Sequence, residues 1–239
     1  KEIEYLAVGD SFTHGACVNR PNDISSVLRN LSNKSVLNLG MSGNGPLIEY
    51  ATLREYLNTN VKKVLWIYFE GNDLRNIEDE KKNNILIKYL KDLNFTQNLK
   101  FKQNDIDSLL SNLIKEIEIE IEKERERQNF KFKLIKFIKI YNTRHSISPA
   151  PTPAPTPAPS LEFKKTLQLT KVLTNKNNSK LYFVYLPEYN RYKTSYNNTN
   201  YNLIKNIVTE LKIPFIDIHK EGFEKEQNPL KLFPFEQHG

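Results

Sequence analysis

The chain has 239 residues, 38% of them hydrophobic and 26% charged, which favours a folded domain with a full core over a disordered chain. Lys and Arg outnumber Asp and Glu by 35 to 28, a formal net charge of +7, and no apolar run reaches the roughly 18 residues of a membrane helix. The single cysteine, Cys17, excludes an intrachain disulfide and a cysteine metal site.

Five short apolar runs predict β-strands, and segments with helical periodicity separate them. The strand-like runs are 3–8, 36–39, 63–69, 181–186 and 214–218, and the helical segments are 25–31, 47–57, 84–93, 106–126, 162–174 and 202–211. Each connection is long enough to cross back over a sheet, so the strands are expected to be parallel. The alternation predicts one α/β domain over residues 1–239, a flavodoxin-like three-layer sandwich with strand order 2-1-3-4-5.

Two segments stand outside this alternation. Residues 104–141 are highly charged, first Glu-rich and then rich in Lys and aromatic residues, and we interpret them as an inserted long helical arm. Within it, 130–141 combines basic and apolar residues, which favours contact with a membrane surface or a partner, or else an apolar stripe packed on the body. Residues 149–160 alternate Pro with Ala and Thr, which predicts an extended Pro-rich linker loop inside the domain.

Polar motifs follow the first three predicted strands. They are Gly9-Asp10-Ser11, the stretch from Asn38 to Pro46, and Glu70-Gly71-Asn72-Asp73. Each alone is a common turn sequence, but the carboxyl ends of parallel strands form one edge of a sheet, where ligands bind. Acyl transfer needs a nucleophile and at least two donors for the oxyanion. Ser11 would attack, and its own N–H, the N–H of Gly43 and the side-chain amide of Asn72 would form the oxyanion hole.

At these residues the chain resembles the SGNH (GDSL-type) hydrolase family, in which a serine, a glycine, an asparagine and a histidine lie in four blocks. The resemblance implies that Ser11 is the nucleophile, that Gly43 and Asn72 belong to the oxyanion hole, and that the base is a histidine near the C-terminus. It also implies a structural role for Asp10 in holding the turn. In the third block, Glu70 stands where the family often has Gly, and we expect Glu70 to narrow or acidify the pocket.

The C-terminal block leaves two interpretations of the base. In one, His238 is the base and Glu236, two residues earlier, is the orienting carboxylate. In the other, which resembles the family's Gly-His-Tyr-Asn form, the histidine follows Gly239 and the C-terminal end of the domain is truncated. The other histidines, at positions 14, 145 and 219, are expected to be structural or solvated.

These motifs predict a serine esterase that cleaves carboxylic esters through an acyl-enzyme, with O-acyl groups on carbohydrate among the candidate substrates. The alternatives are an O-acyltransferase acting on a polysaccharide and a non-catalytic glycan-binding or scaffold domain. We expect no cofactor, because neither metal-ligand spacing nor a phosphate-binding loop motif occurs. Nucleic acid is not expected as a partner, since the basic residues are spread out. The sequence fits an extracytoplasmic or a cytoplasmic location equally well.

Overall fold

The computed structural model describes residues 2–138, 156–193 and 196–233, without the side chains of residues 126 and 128–138. Two compact units make up the chain. One comprises Lys1–Gln97 and Thr156–Gly239, and the other comprises Asn98–Pro155.

A five-stranded parallel sheet forms the centre of the first unit. Its strands are β1 (Ile3–Gly9), β2 (Val36–Asn38), β3 (Val61–Phe69), β4 (Lys180–Leu186) and β5 (Phe215–Asp217). They are hydrogen-bonded in the order β2-β1-β3-β4-β5, and every neighbouring pair is parallel. The predicted α/β sheet and its strand order are confirmed, and each strand ends within two residues of the apolar run that predicted it.

Helices connect these strands. They are α1 (Ser11–His14) and α2 (Ile24–Ser32) after β1, α3 (Pro46–Tyr56) after β2, α4 (Asp73–Glu80) and α5 (Asn84–Lys91) after β3, α7 (Leu161–Lys176) before β4, α8 (Thr199–Glu210) after β4, and α9 (Ile218–Glu221) after β5. Short 3₁₀ turns lie at Tyr189–Tyr192, Phe223–Lys225 and Pro229–Leu232. The periodicity of the sequence predicts α2, α3, α5, α7 and α8 and misses α1, α4 and α9.

The main core lies between the sheet and the helices α3 and α7. Trp66 and Tyr68 of β3 are fully buried there, together with Phe183 of β4 and Phe163 of α7. Successive side chains of a strand point to opposite faces, so Leu65, between the buried Val64 and Trp66, belongs to the other face, and it remains partly exposed.

The register of the sheet brings the carboxyl ends of β1 and β3 side by side, with Gly9 opposite Ile67. A Cβ atom on Gly9 would lie 2.1 Å from Thr13 Oγ1 and 2.7 Å from the carbonyl oxygen of Ile67. Only glycine therefore lets the chain pass from β1 into α1 at this point, and this passage sets the position of Ser11.

The second unit contains a 3₁₀ turn at Leu99–Phe101 and the helix α6 (Gln103–Ile138). At 36 residues, α6 is about 54 Å long. It extends the predicted helical segment at both ends and forms the predicted arm as far as residue 138. Residues 139–141 and most of the Pro-rich linker lie outside the described residues, so the single-domain prediction and the membrane contact through 130–141 stay predictions. No helix in the described part of the chain is long and apolar enough to cross a membrane.

Candidate active site

Ser11 is the first residue of α1, at the carboxyl end of β1. Asp10 caps this helix, and its carboxylate accepts a hydrogen bond of 3.0 Å from the backbone N–H of Phe12. The hydroxyl of Ser11 donates to the other carboxylate oxygen of Asp10 over 3.4 Å. Gly15 ends the helix with a left-handed φ of 83°. The serine is half-buried and held on a short, capped turn at the sheet edge.

Asp10 also connects Ser11 to Asn72, which directly precedes α4. Burial raises the pKa of the Asp10 carboxyl, and contacts with the N–H of Phe12 and the side chain of Asn72 lower it again, as do smaller contacts with the hydroxyl and N–H of Ser11. The side-chain oxygen of Asn72 is buried and, within the described residues, has no hydrogen-bond partner. The N–H of Ser11 and the side-chain amide of Asn72, two of the three predicted oxyanion donors, therefore both contact the buried carboxylate of Asp10.

Gly43, the third predicted donor, lies on an exposed loop between β2 and α3. Its φ is 86°, and an added Cβ would meet nothing within 4 Å, so the backbone conformation and not the space favours glycine here. On one side of it, Ser42 Oγ lies 3.3 Å from His14 Nδ1 of α1. On the other, the carbonyl of Asn44 accepts a hydrogen bond of 3.2 Å from the side chain of Asn76 in α4. The loop is thus tied to both helices that begin near the proposed nucleophile.

Glu80, at the end of α4, anchors the same loop where it enters α3. Glu80 is 8% exposed, and its carboxylate accepts hydrogen bonds from the N–H of Gly45 at 2.7 Å and of Leu47 at 2.9 Å. These two N–H groups belong to the unsatisfied first turn of α3. Burial raises the pKa of Glu80 to about 7, although the bonds from these N–H groups act to lower it.

Sequence analysis missed Asn76 and Glu80. The available signal is their spacing, because Asn72, Asn76 and Glu80 recur at every fourth position and so share one face of a helix. That signal requires knowing that α4 is a helix, and Gly71-Asn72-Asp73 is typical of a turn.

Two more buried carboxyl groups lie near Asp10 and Glu80. Asp73 accepts a hydrogen bond of 2.9 Å from the N–H of Phe69, and Glu49 of α3 is fully buried. Burial, followed by the charges of neighbouring carboxylates, raises the pKa of both groups well above the usual range. Among the described residues, none of these four acids forms an ion pair with Lys or Arg.

Glu70, by contrast, is paired. It is 4% exposed, and its carboxylate accepts two hydrogen bonds from the guanidinium of Arg191, one of them at 2.7 Å from Nε. The hydroxyl of Tyr185 and the N–H of Glu188 also donate to it. Glu70 therefore belongs to a buried ion pair whose charges balance, which does not fit the expectation that it acidifies the pocket.

The histidines occupy different environments. His219 is buried, shares a hydrogen bond of 2.8 Å with Tyr192, and has its Nε2 3.1 Å from Glu224. Burial, helped by the charge of Arg191, lowers its pKa, which fits the predicted structural role. No histidine within the described residues is hydrogen-bonded to Ser11. His145, Glu236 and His238 lie outside the described residues.

Beside Ser11 there is a cavity of about 390 Å³. Apolar side chains make up most of its lining, among them Phe12, Ile24, Leu186 and Ile218. In the described ranges, no three His, Cys, Asp or Glu side chains are arranged to hold a metal ion.

No model of a protein family and no curated protein matches the sequence. Solved structures similar to the chain include a G-D-S-L family protein from Desulfitobacterium hafniense DCB-2, with 15% identity, a TM-score of 0.42, and coverage of 98% of this chain and 94% of that one. AlinE4, an SGNH-hydrolase family esterase, has 11% identity, a TM-score of 0.44, and coverage of 95% and 84%. Phospholipase A1 from Streptomyces albidoflavus NA297 has 10% identity, a TM-score of 0.44, and coverage of 92% and 81%.

Proposed function

We propose that this protein hydrolyses carboxylic esters with Ser11 as the nucleophile. The observation that carries the proposal is the meeting of three segments at one sheet edge. Asp10 contacts both Ser11 and Asn72, while Ser42 and Asn44 tie the Gly43 loop to α1 and α4. A nucleophile flanked by preset donors is the arrangement that acyl transfer requires.

In the proposed reaction, Ser11 Oγ forms a bond to the carbonyl carbon of the ester while the hydroxyl proton passes to a base. The negative charge on the carbonyl oxygen is received by the N–H groups of Ser11 and Gly43 and by the amide of Asn72. The alcohol leaves with the proton, and water then attacks the acyl-enzyme and releases the acid. Asp10 acts as a positioning residue because it fixes both Ser11 and Asn72.

We infer that the cavity beside Ser11 receives the acyl part of the substrate and that this acyl group is apolar. Its volume of about 390 Å³ has room for a short or medium acyl chain, and its lining offers mainly carbon surface. The carbohydrate O-acyl groups predicted from the sequence fit this assignment if the sugar stays outside the cavity.

Labelling with a fluorophosphonate tests the nucleophile. We expect labelling of the wild type, none of Ser11→Ala, and full labelling of Ser108→Ala, which removes an exposed hydroxyl of α6 that has no role in the proposed site. Hydrolysis of p-nitrophenyl acetate, butyrate and octanoate should follow the labelling. A folded protein carrying its native C-terminus that neither labels nor hydrolyses any of these esters would refute the proposal and favour the non-catalytic alternative. Release of product with and without an acceptor sugar separates a hydrolase from a transferase.

The base is tested by His238→Ala and His14→Ala. Loss of hydrolysis only in His238→Ala assigns the base to His238. Loss only in His14→Ala assigns it to the histidine of α1 that contacts Ser42. Activity retained in both variants excludes both residues as the base.

A further inference from the structure

The cavity beside Ser11 extends along the carboxyl edge of the sheet toward β5. Ser11 lies just after β1, whereas Leu186 is the last residue of β4 and Ile218 directly follows β5, and all three line the cavity. In the sheet, β1 and β5 are three strand spacings apart, which is about 14 Å. An extended octanoyl chain is shorter than this span, and an extended tetradecanoyl chain is longer.

Phe223 forms the wall of the cavity on the β5 side. It is 8% exposed and lies in the 3₁₀ turn after α9. Its ring stacks on that of Tyr192, with the ring centroids 5.4 Å apart and an angle of 12° between the planes, and the ring centroid of Phe233 lies 4.9 Å away. Tyr192 in turn shares a hydrogen bond of 2.8 Å with His219. Because close packing and a hydrogen bond hold this wall in place, the cavity has a defined length.

The cavity opens to solvent beside the connection from α1 to α2. Val18 and Ile24 line it there and are 37% and 36% exposed. Cys17, next to Val18, also lines the cavity, is half-buried, and is the single cysteine of the chain. An acyl chain in the cavity would therefore cover the thiol that a reagent from solvent must reach.

We propose that Phe223 sets the length of the acyl chain that this cavity accepts, with octanoyl and decanoyl groups as the preferred class. The effect on the reaction rests on the proposed ester hydrolysis at Ser11, whereas the effect on binding rests on the cavity alone. Each methylene group that leaves water for the apolar lining should strengthen binding about fourfold. Once a chain reaches the ring of Phe223, further methylene groups gain nothing, because they must displace the ring or turn back into water.

Hydrolysis across a series of chain lengths tests the effect on the reaction. For the wild type, kcat/KM for p-nitrophenyl octanoate should exceed the values for the acetate and the tetradecanoate by about tenfold or more. Phe223→Ala should move the preference to the tetradecanoate and leave the hydrolysis of the acetate nearly unchanged, because an acetyl group does not reach the wall. The matched control is Phe101→Ala, which removes an 86% exposed ring from the second unit and should keep the wild-type profile.

Protection of Cys17 tests binding without catalysis. In Ser11→Ala, octanoic acid should slow the reaction of the thiol with N-ethylmaleimide more than tetradecanoic acid does, and acetic acid should not slow it. Adding Phe223→Ala should reverse the order of the two longer acids. If circular dichroism shows that this variant is unfolded, Phe223→Leu, which keeps the wall apolar, should shift protection in the same direction.

Two results would overturn the proposal. One is equal protection of Cys17 by acetic and octanoic acids, and the other is a chain-length preference that substitution of Phe223 leaves unchanged. Protection that follows chain length in Ser11→Ala, together with no hydrolysis by the protein carrying its native C-terminus, would refute the proposed reaction and still support the role of Phe223 in acyl binding.

Discussion

Buried carboxylates lie on both sides of the carboxyl end of β3, and their charges are balanced in different ways. Toward β4, Glu70 is paired with Arg191. Toward β1 and α3, the acid cluster of Asp10, Glu49, Asp73 and Glu80 has raised pKa values and, among the described residues, no cationic partner. On the paired side, the stability of the fold depends on the cation of Arg191. On the unpaired side, it depends on the protonation of the carboxyl groups, so a change of pH alters stability mainly there.

The largest expected effect is that of Arg191→Met, which leaves Glu70 buried without its cation. Removing one member of a buried ion pair typically costs about 3–5 kcal/mol of unfolding free energy. Urea denaturation at neutral pH measures it. The double variant Arg191→Met/Glu70→Gln should recover most of the loss because neither charge remains.

Lys82 provides the control on the surface. It pairs with Asp79, but the side chains are 77% and 76% exposed. Lys82→Met should change the unfolding free energy by less than about 1 kcal/mol. If Arg191→Met were as mild as Lys82→Met, the contrast between a buried and an exposed pair would be lost.

The next effect is a pH dependence that comes from Glu80. Its pKa rises from 4.5 to about 7 on folding, so the folded state binds more protons than the unfolded state between these values. The stability contributed by its protonation is present below pH 4.5 and is lost as the pH rises to about 7, in total on the order of 3 kcal/mol. Glu80→Gln should remove this slope.

The difference between the wild-type and Glu80→Gln stability curves is the proper measure, because the lowered pKa of His219 acts in the opposite direction. Because this buried imidazole is harder to protonate than an exposed one, the protein loses stability as the pH falls. Parallel curves for the two proteins between pH 4.5 and 7 would show that Glu80 keeps its ordinary pKa.

Two glycines in the loop before α3 sharpen the comparison. A Cβ on Gly45 would lie 2.5 Å from Asn76 Cβ and 2.9 Å from both carboxylate oxygens of Glu80. Gly45→Ala should therefore cost about 1–3 kcal/mol through overpacking and should also alter the pH slope. Gly43→Ala meets open space and costs about 1–2 kcal/mol through its positive φ, with the slope unchanged. Equal pH slopes of stability in Gly45→Ala and Gly43→Ala would show that the loop does not affect the titration of Glu80.

The smallest expected effect is that of Asn76→Ala. It removes the hydrogen bond of 3.2 Å to the Asn44 carbonyl and should reduce the unfolding free energy by about 0.5–1.5 kcal/mol. If the bond positions the Gly43 loop for the proposed reaction, kcat should fall while KM stays nearly constant. An unchanged kcat would limit Asn76 to a structural role.

The sheet could be predicted because buried parallel strands are short apolar runs with turn residues after them, as at Ile3–Gly9 and Val61–Phe69. The same rule placed Ser11, Gly43 and Asn72 at one edge without any knowledge of side-chain contacts. Local pattern was sufficient to predict where Ser11 and Asn72 lie, because they come two and three residues after a strand end, whereas Gly43 lies five residues after β2 on the loop before α3.

Other parts of the site could not be predicted in this way. α4 has few apolar residues, of which Leu74 and Ile77 are buried, so its acid-rich sequence gives little helical periodicity. Glu70 and Arg191 are 121 residues apart, and their pairing depends on where the turn after β4 directs the chain. A buried ion pair of this kind is a tertiary property that neither residue's neighbours indicate.

The long insertion also bears on how the molecule folds. β3 and β4 are neighbours in the sheet, with Val64 opposite Leu181, yet the whole second unit lies between them in sequence. Loop-closure entropy grows only with the logarithm of length, and each doubling costs about 0.6 kcal/mol. Residues 98–155 are roughly half of this connection, so they reduce the stability of the sheet very little. The effect should appear in kinetics, because β3 and β4 must find each other across a long chain before the sheet can close.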